Sequence, residues 1–277
     1  MLEIDTFNIA RQQLRDAISK YQPPTNSPLN VSPWIAMSAL QKAIRRGNEQ
    51  LAIRAASTLL HVSPERLWRR CGCISFEDIG LADIETLSLV TAALAGKRFR
   101  AQLGGEWTVA SFIVTRMARA PKCRAADDLL IVAEQHPTLQ QARRELADTT
   151  LPDLMGIATS TAPLLLRALA LWYGIGTGRR PSPHLQPRRG DPAQVFDWLR
   201  ETEILTNVVE IAREGFRKTA EVLCPFVALL WPGRQRETAS IADDPFPPEV
   251  RIGGAVLGVR HVHQGRPPCA PDLLTRR

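Results

Sequence analysis

The stretch "CISFEDIGLAD" (Cys73–Asp83) holds the closest grouping of acids beside a glycine that could do chemistry. Glu77, Asp78 and Asp83 could form a catalytic carboxylate cluster or donate to a metal. The same acids also fit the ends of short helices. Ser75 can cap a helical turn, and Asp78 three residues on completes a capping box with Asp in place of Glu or Gln. Gly80 can end that turn in a left-handed conformation. Asp83 can then cap the helix "IETLSLVTAALAG", and acids near a helix N-terminus are favoured by its dipole. No His lies nearby to complete a metal site. The spacing therefore predicts Ser75, Asp78 and Asp83 as structural caps.

Other chemical groups are weaker. Cys71-x-Cys73 lacks the two-residue spacer usual at zinc, and no second Cys pair follows. His261-x-His263 could share one face of a strand and bind a metal, but its Pro-rich basic surroundings favour a solvated tail. Neither Gly-x-Ser-x-Gly nor His-Glu-x-x-His occurs. No catalytic, cofactor-binding or metal-binding residue is assigned, although an active site built from scattered residues leaves no local pattern. Three basic groups stand out: Lys42, Arg45 and Arg46; Arg66, Arg69 and Arg70; and Arg116, Arg119, Lys122 and Arg124. Near helix C-termini such residues answer the dipole. If they converge, they could track a phosphate backbone. Without interleaved aromatics, that binding would be poorly sequence-specific. The formal net charge of +7 permits a polyanionic partner without establishing one.

The elements that position these groups read as helical. Residues 3–21 form a short amphipathic helix, and "QPPTNSPLNVSP" at 22–33 is a connector. Ser32-Pro33 and Ser63-Pro64 each offer an N-cap followed by proline at the first helical position. Their spacing suits antiparallel helical hairpins. Val109, Phe112, Ile113 and Met117 form the apolar stripe of a later helix, with Arg116 and Arg119 extending from it. "GIGTGRRPSPHLQPRRGDP" at 174–192 has linker composition. Pro225 should kink or end the long helix that follows. The expected fold is all-α. It comprises a helix and connector at 1–31, a helical domain at 32–173, a linker at 174–192, further helices at 193–231 and an irregular tail at 232–277. The 277 residues contain no run of 18 uncharged apolar residues, so no membrane span is expected. The first residues lack a signal-peptide apolar region. Five scattered cysteines suit a reducing cytoplasm.

Three motifs carry a family resemblance: "SALQKAIRRGNEQLAIRAASTLL" (38–60), "RRCGCISFEDIGLAD" (69–83) and "GGEWTVASFIVTRMARAPK" (104–122). In type, order and spacing, residues 34–126 resemble the C-terminal region of the replication-associated recombination ATPases, clamp-loader-like AAA+ proteins of stalled replication forks. In that family the region is a helical collar that drives oligomerisation and supports a DNA-associated ATPase ring. The resemblance implies a collar-like helical assembly domain and no chemistry of its own. Two departures stand out. The family's ATPase portion is not present in this sequence, and its A-P-K-S-N-x-x-Y ending becomes Ala120-Pro121-Lys122-Cys123-Arg124, without the Tyr.

The expectation is a non-enzymatic assembly or adaptor protein of DNA replication, repair or mobile-element maintenance. It would form a homo-oligomer or dock on a replication or repair protein, with the Val109–Met117 stripe as one apolar face available for it. Direct sequence-nonspecific binding of DNA or RNA is the first alternative, and an enzyme of unrecognised type on a helical scaffold is the second. In the tail, DNA encoding Gly258–Arg266 can read G-Y-D-M-Y-T-R-E-G one base out of frame, so the last residues read as a divergent or frameshifted segment. A nucleotide site of the AAA+ type needs G-x-x-x-x-G-K-[ST], whose amides and Lys hold the phosphates. Here the one Gly-Lys pair, Gly96-Lys97, is followed by Arg98 and has no Gly-rich loop before it. The purified protein is therefore expected not to bind ATP. Titration calorimetry checks this, and micromolar affinity would refute it.

Overall fold

Helix starts in this chain are written largely in Ser, Asn, Asp and Pro. A computed structural model describes residues 6–202, 204–236, 251–252 and 255–256. The protein is all-α apart from a two-residue hairpin, β1 (Arg251–Ile252) against β2 (Ala255–Val256). The described helices fall in two compact units, one within Met1–Lys122 and the other within Cys123–Ala239. This division lies inside the stretch 32–173 expected to form one domain.

The first unit holds α1 (Thr6–Ile18), α2 (Pro33–Arg45), α3 (Glu49–Val62), α4 (Pro64–Ile74), α5 (Ile84–Ala93), α6 (Lys97–Ala101) and α7 (Glu106–Arg119). Ser32 accepts from the Ile35 amide at 3.4 Å, and Pro33 follows in the first turn. Asn48 caps α3 through the Leu51 amide at 3.1 Å. Gly47, at φ +67, makes the α2–α3 turn that a β-carbon would strain. The two helices then pack as a hairpin. Ser63-Pro64 opens α4 with its proline alone, since the Ser63 side chain makes no cap bond.

At the centre lies α5, buried on every side from Thr86 to Ala93. A helix apolar all round must be enclosed, and α1, α4 and α7 pack on it. Thus α1 belongs to this unit and is not a separate N-terminal extension. The connector at 22–33 is also held: Trp107 Nε1 donates to the Pro24 carbonyl at 2.8 Å, and the Leu29 amide donates to Thr58 Oγ1 at 2.7 Å. Val109, Ile113 and Met117 are fully buried, and Phe112 meets Tyr21 edge-on at 5.3 Å. The α7 stripe therefore serves its own core and is not an open oligomerisation face.

The second unit holds α8 (Ala125–Gln135), α9 (Gln140–Glu145), α10 (Leu151–Thr159), α11 (Leu164–Ile175), α12 (Pro192–Arg200), α13 (Thr206–Thr219) and α14 (Leu223–Arg236). Its apolar centre is α11, against which α8, α10, α12 and α14 pack. Residues 174–192 are no linker but a packed loop within this unit. The Thr177 amide donates to the Arg188 carbonyl at 3.1 Å, and the Asp191 amide to the Gly174 carbonyl at 2.9 Å. Buried Tyr173 donates its hydroxyl to the Arg143 carbonyl at 2.7 Å. Asp191 then caps α12 through the Gln194 amide at 3.1 Å. Pro225 does not break a long helix. It lies in the first turn of α14, where a missing amide costs little, and the break falls earlier, at left-handed Ala220. The irregular tail expected from residue 232 is regular where it is described, since α14 runs on to Arg236 and β1 pairs with β2, while His261, His263 and the out-of-frame segment lie outside the described residues.

The loop closes where two glycine backbones meet. A β-carbon on Gly190 would fall 2.2 Å from the Gly176 nitrogen, against backbone that cannot step aside. Gly190→Ala is therefore expected to destabilise the protein by about 1–3 kcal/mol, as overpacked cores do. Urea denaturation with tryptophan fluorescence measures it.

Candidate functional site

The acidic run does not begin a helix. Instead α4 continues through Ser75 into a π turn at Ser75–Ile79, with the Gly80 amide reaching back five residues to the Ser75 carbonyl. Such turns are rare and usually mark a local demand on side-chain placement. Ser75 is already helical, and its buried hydroxyl donates to the Gly72 carbonyl at 2.7 Å. An N-cap needs extended backbone, so Ser75 and Asp78 do not form the expected capping box.

The wider turn sets Glu77 and Asp78 against α2. Asp78 is 0% exposed and accepts from Arg45 Nε at 2.7 Å and from Gln41 Nε2 at 3.4 Å. Arg45 Nη2 donates to Glu77 Oε1 at 3.0 Å. Arg70 of α4 donates to Gln41 Oε1. Two acids, two arginines and one amide thus join α2 to α4 and the π turn. A fully buried carboxylate held by a guanidinium is closed to substrate, so the cluster is architectural. Asp83 is a cap in geometry: at φ −147 it accepts from the Thr86 amide at 2.9 Å.

The basic groups are largely spent inside the fold. Arg45 and Arg70 serve the network above. Arg116 pairs with Glu85 at 3.1 Å and donates to Thr86 Oγ1 at 3.0 Å. Arg119 binds Glu49 through both ends, at 2.7 and 3.0 Å. Lys122 Nζ caps the end of α7, donating to the Met117 and Ala118 carbonyls at 3.1 Å each. Arg124 stands in the second unit and pairs with Asp127. Lys42 and Arg46 are half-buried, and Arg66 and Arg69 are exposed on α4. The expected phosphate track therefore keeps few open charges.

Two features escaped the sequence patterns. Trp68 Nε1 donates to Glu106 Oε2 at 2.6 Å, while Arg100, stacked 4.2 Å from the Trp68 ring, bonds the same carboxylate at 3.0 Å. These three residues lie on three helices, α4, α6 and α7, so only the fold joins them. Second, Arg11 and Arg15 of α1 stand 5.9 and 5.2 Å from the centre of the Phe99 ring on α6. The i, i+4 arginines and the run Lys97-Arg98-Phe99-Arg100 were the available signal.

Little else has the make-up of an active site. Burial pushes the Cys71 thiol up to about 12, which leaves it inert as a nucleophile. Burial raises the Asp128 carboxyl to about 6, against the opposing Arg124 charge. A cavity of about 730 Å³ in the second unit is lined by Thr159, Ser160, Thr161, Arg167 and Thr202 with apolar neighbours. Burial lowers the pKa of Arg167, which donates to the Ala158 carbonyl at 2.9 Å. No carboxylate or imidazole lines this cavity among the described residues, so it offers no acid–base pair. Among the described residues no three His, Cys, Asp or Glu gather as a metal site, and no helix is long and apolar enough to cross a membrane. Compared with models of protein families, curated proteins and solved structures, the chain matches none.

Asp78→Ala removes a charge-assisted hydrogen bond but leaves Arg45 partly exposed and still paired with Glu77, so it is expected to cost about 1.5–3 kcal/mol, more than loss of a cap. Loss of the Asp83 cap should cost about 0.5–2 kcal/mol. Chemical denaturation of both variants checks the ranking, and equal losses would refute it.

Proposed function

We propose that this chain is an assembly or adaptor protein of DNA replication, repair or mobile-element maintenance, acting through association of its helices. The observation that carries the reading is Trp34, 74% exposed in the first turn of α2. Ile35 beside it is 39% exposed, and Val62 in the last turn of α3 is 58% exposed. The tight turn between these helices sets the start of α2 opposite the end of α3. The open end of the hairpin thus carries three exposed large apolar residues.

A lone exposed apolar residue needs no explanation, but a group containing an exposed tryptophan marks an interaction site. Tryptophan is also the residue type most enriched among the anchors of protein interfaces. The proposed occupant is a second copy of the chain, since an apolar patch without net charge is complementary to itself across a two-fold axis. The resemblance of residues 34–126 to an oligomerising collar supports the same reading and supplies the link to replication. Buried Asp78 and the cap Asp83 of "SFEDIGLAD" fit a scaffold rather than a catalyst.

Light scattering after size exclusion tests this. The wild type should give a multiple of the 30.7 kDa chain mass, and Trp34→Glu should return it to one chain. A wild-type mass of one chain at high concentration would sink the proposal.

A further inference from the structure

Among the cations of the first unit that hold no carboxylate among the described residues, four gather around one aromatic ring. Arg11 and Arg15 lie one turn apart on α1, and both guanidinium groups face the Phe99 ring. Lys97 and Arg98, the two residues before Phe99, are exposed. Among the described residues none of the four makes an ion pair. Asp16, on the same helix, accepts from Gln12 Nε2 at 2.8 Å. Glu106 is engaged by Arg100 and Trp68. Glu85, on the neighbouring α5, pairs with Arg116.

Other arginines of the unit are answered from within the fold. Arg45, Arg100, Arg116 and Arg119 each hold an acid. Like charges at i, i+4 on a helix repel, and stacking on a ring face offsets this while fixing where the charge points. Arg11 Nε is also shielded from water with no hydrogen-bond partner, a donor left unsatisfied at a cost. An anion beside the outer guanidinium nitrogens would relieve the repulsion.

We infer that Arg11, Arg15, Lys97 and Arg98 around Phe99 form a binding site for the phosphate backbone of a nucleic-acid strand. Arginines fixed on a ring suit phosphate oxygens, and the two exposed cations extend the charge beyond one phosphate. Contacts made to phosphate oxygens carry no sequence information, so binding through them is blind to sequence. This site lies outside the arginine groups expected from the sequence, and it does not depend on self-association.

Fluorescence anisotropy with a short labelled DNA, single-stranded and duplex, tests the site. Binding to either form is expected, with a log–log salt slope of about −3 for four contacts on a single strand. Lys97→Glu with Arg98→Glu changes only exposed side chains and should weaken binding about tenfold or more with helicity unchanged. Arg66→Glu with Arg69→Glu, elsewhere on the unit, should bind as the wild type does. Arg11→Gln with Arg15→Gln should match the first pair if it folds. Undiminished binding by the Lys97/Arg98 variant overturns the inference. So does absence of DNA binding, or capture by anionic vesicles in place of DNA.

Discussion

The fold of the first unit turns on one buried charge. Asp78 has no solvent, so its carboxylate must be answered from within the protein. The answer is Arg45, at the last residue of α2, 33 residues earlier in the chain. For the two to meet, α4 must deliver Asp78 to the face of α2, and the π turn does this. That turn leads to Gly80 and Asp83, and Asp83 fixes the first residue of α5. Since α5 is the helix on which α1, α4 and α7 pack, the register of the whole unit follows. The apolar core supplies most of the stabilisation, because a buried pair barely recovers its desolvation. What the pair contributes is discrimination: an α4 shifted by one residue would bury an unanswered charge.

The same economy decides which cations are open to a partner. A net charge of +7 suggests a basic surface, but charge in a sequence is not charge at a surface. Arg100 is 7% exposed and spent on Glu106 and the Ala93 carbonyl. Arg119 is 69% exposed on its side chain and still paired with Glu49. Such exposed pairs add about 0–1 kcal/mol to stability, yet they lower the local field seen by a polyanion. Counting basic residues therefore overstates the phosphate track at α2, α4 and α7. It also overlooks α1 and α6, where fewer cations stand with no ion pair among the described residues.

Much of the architecture was legible because its signals are local. The prolines that open α2 and α4, the Ser32 cap, the Gly47-Asn48 turn and the Asp83 cap each act within four residues, and each appears where the pattern places it; the Ser63 cap does not form. The α7 stripe was legible as a helix face but not as to what covers it. Burial against α3 and α5 is a property of the fold, not of periodicity. The π turn was hidden, because one extra residue per turn leaves no composition of its own. Ser75 and Asp78 then matched a capping box that the continuing helix cannot use. Residues 174–192 failed differently. Gly, Pro and Arg compose flexible linkers, but Gly176 and Gly190 are there because two backbones touch. The same composition serves both, and only contact distinguishes them.

Apolar and cationic features then fall into one physical scheme. Trp34, Ile35 and Val62 form a patch that water disfavours, whereas the cations about Phe99 form a site that water and salt screen. Each is modest alone. Four phosphate contacts give weak, salt-sensitive binding, as expected for a single module. A second copy joined at the hairpin end makes the next contact with the same strand intramolecular, at an effective concentration set by the assembly. The salt dependence then grows with the number of cations that engage together. On the proposed reading, self-association would convert a weak sequence-blind contact into a durable one without any base readout. For a helical scaffold without an acid–base centre in its described cavity, affinity of that kind comes from repetition, not from a deeper site.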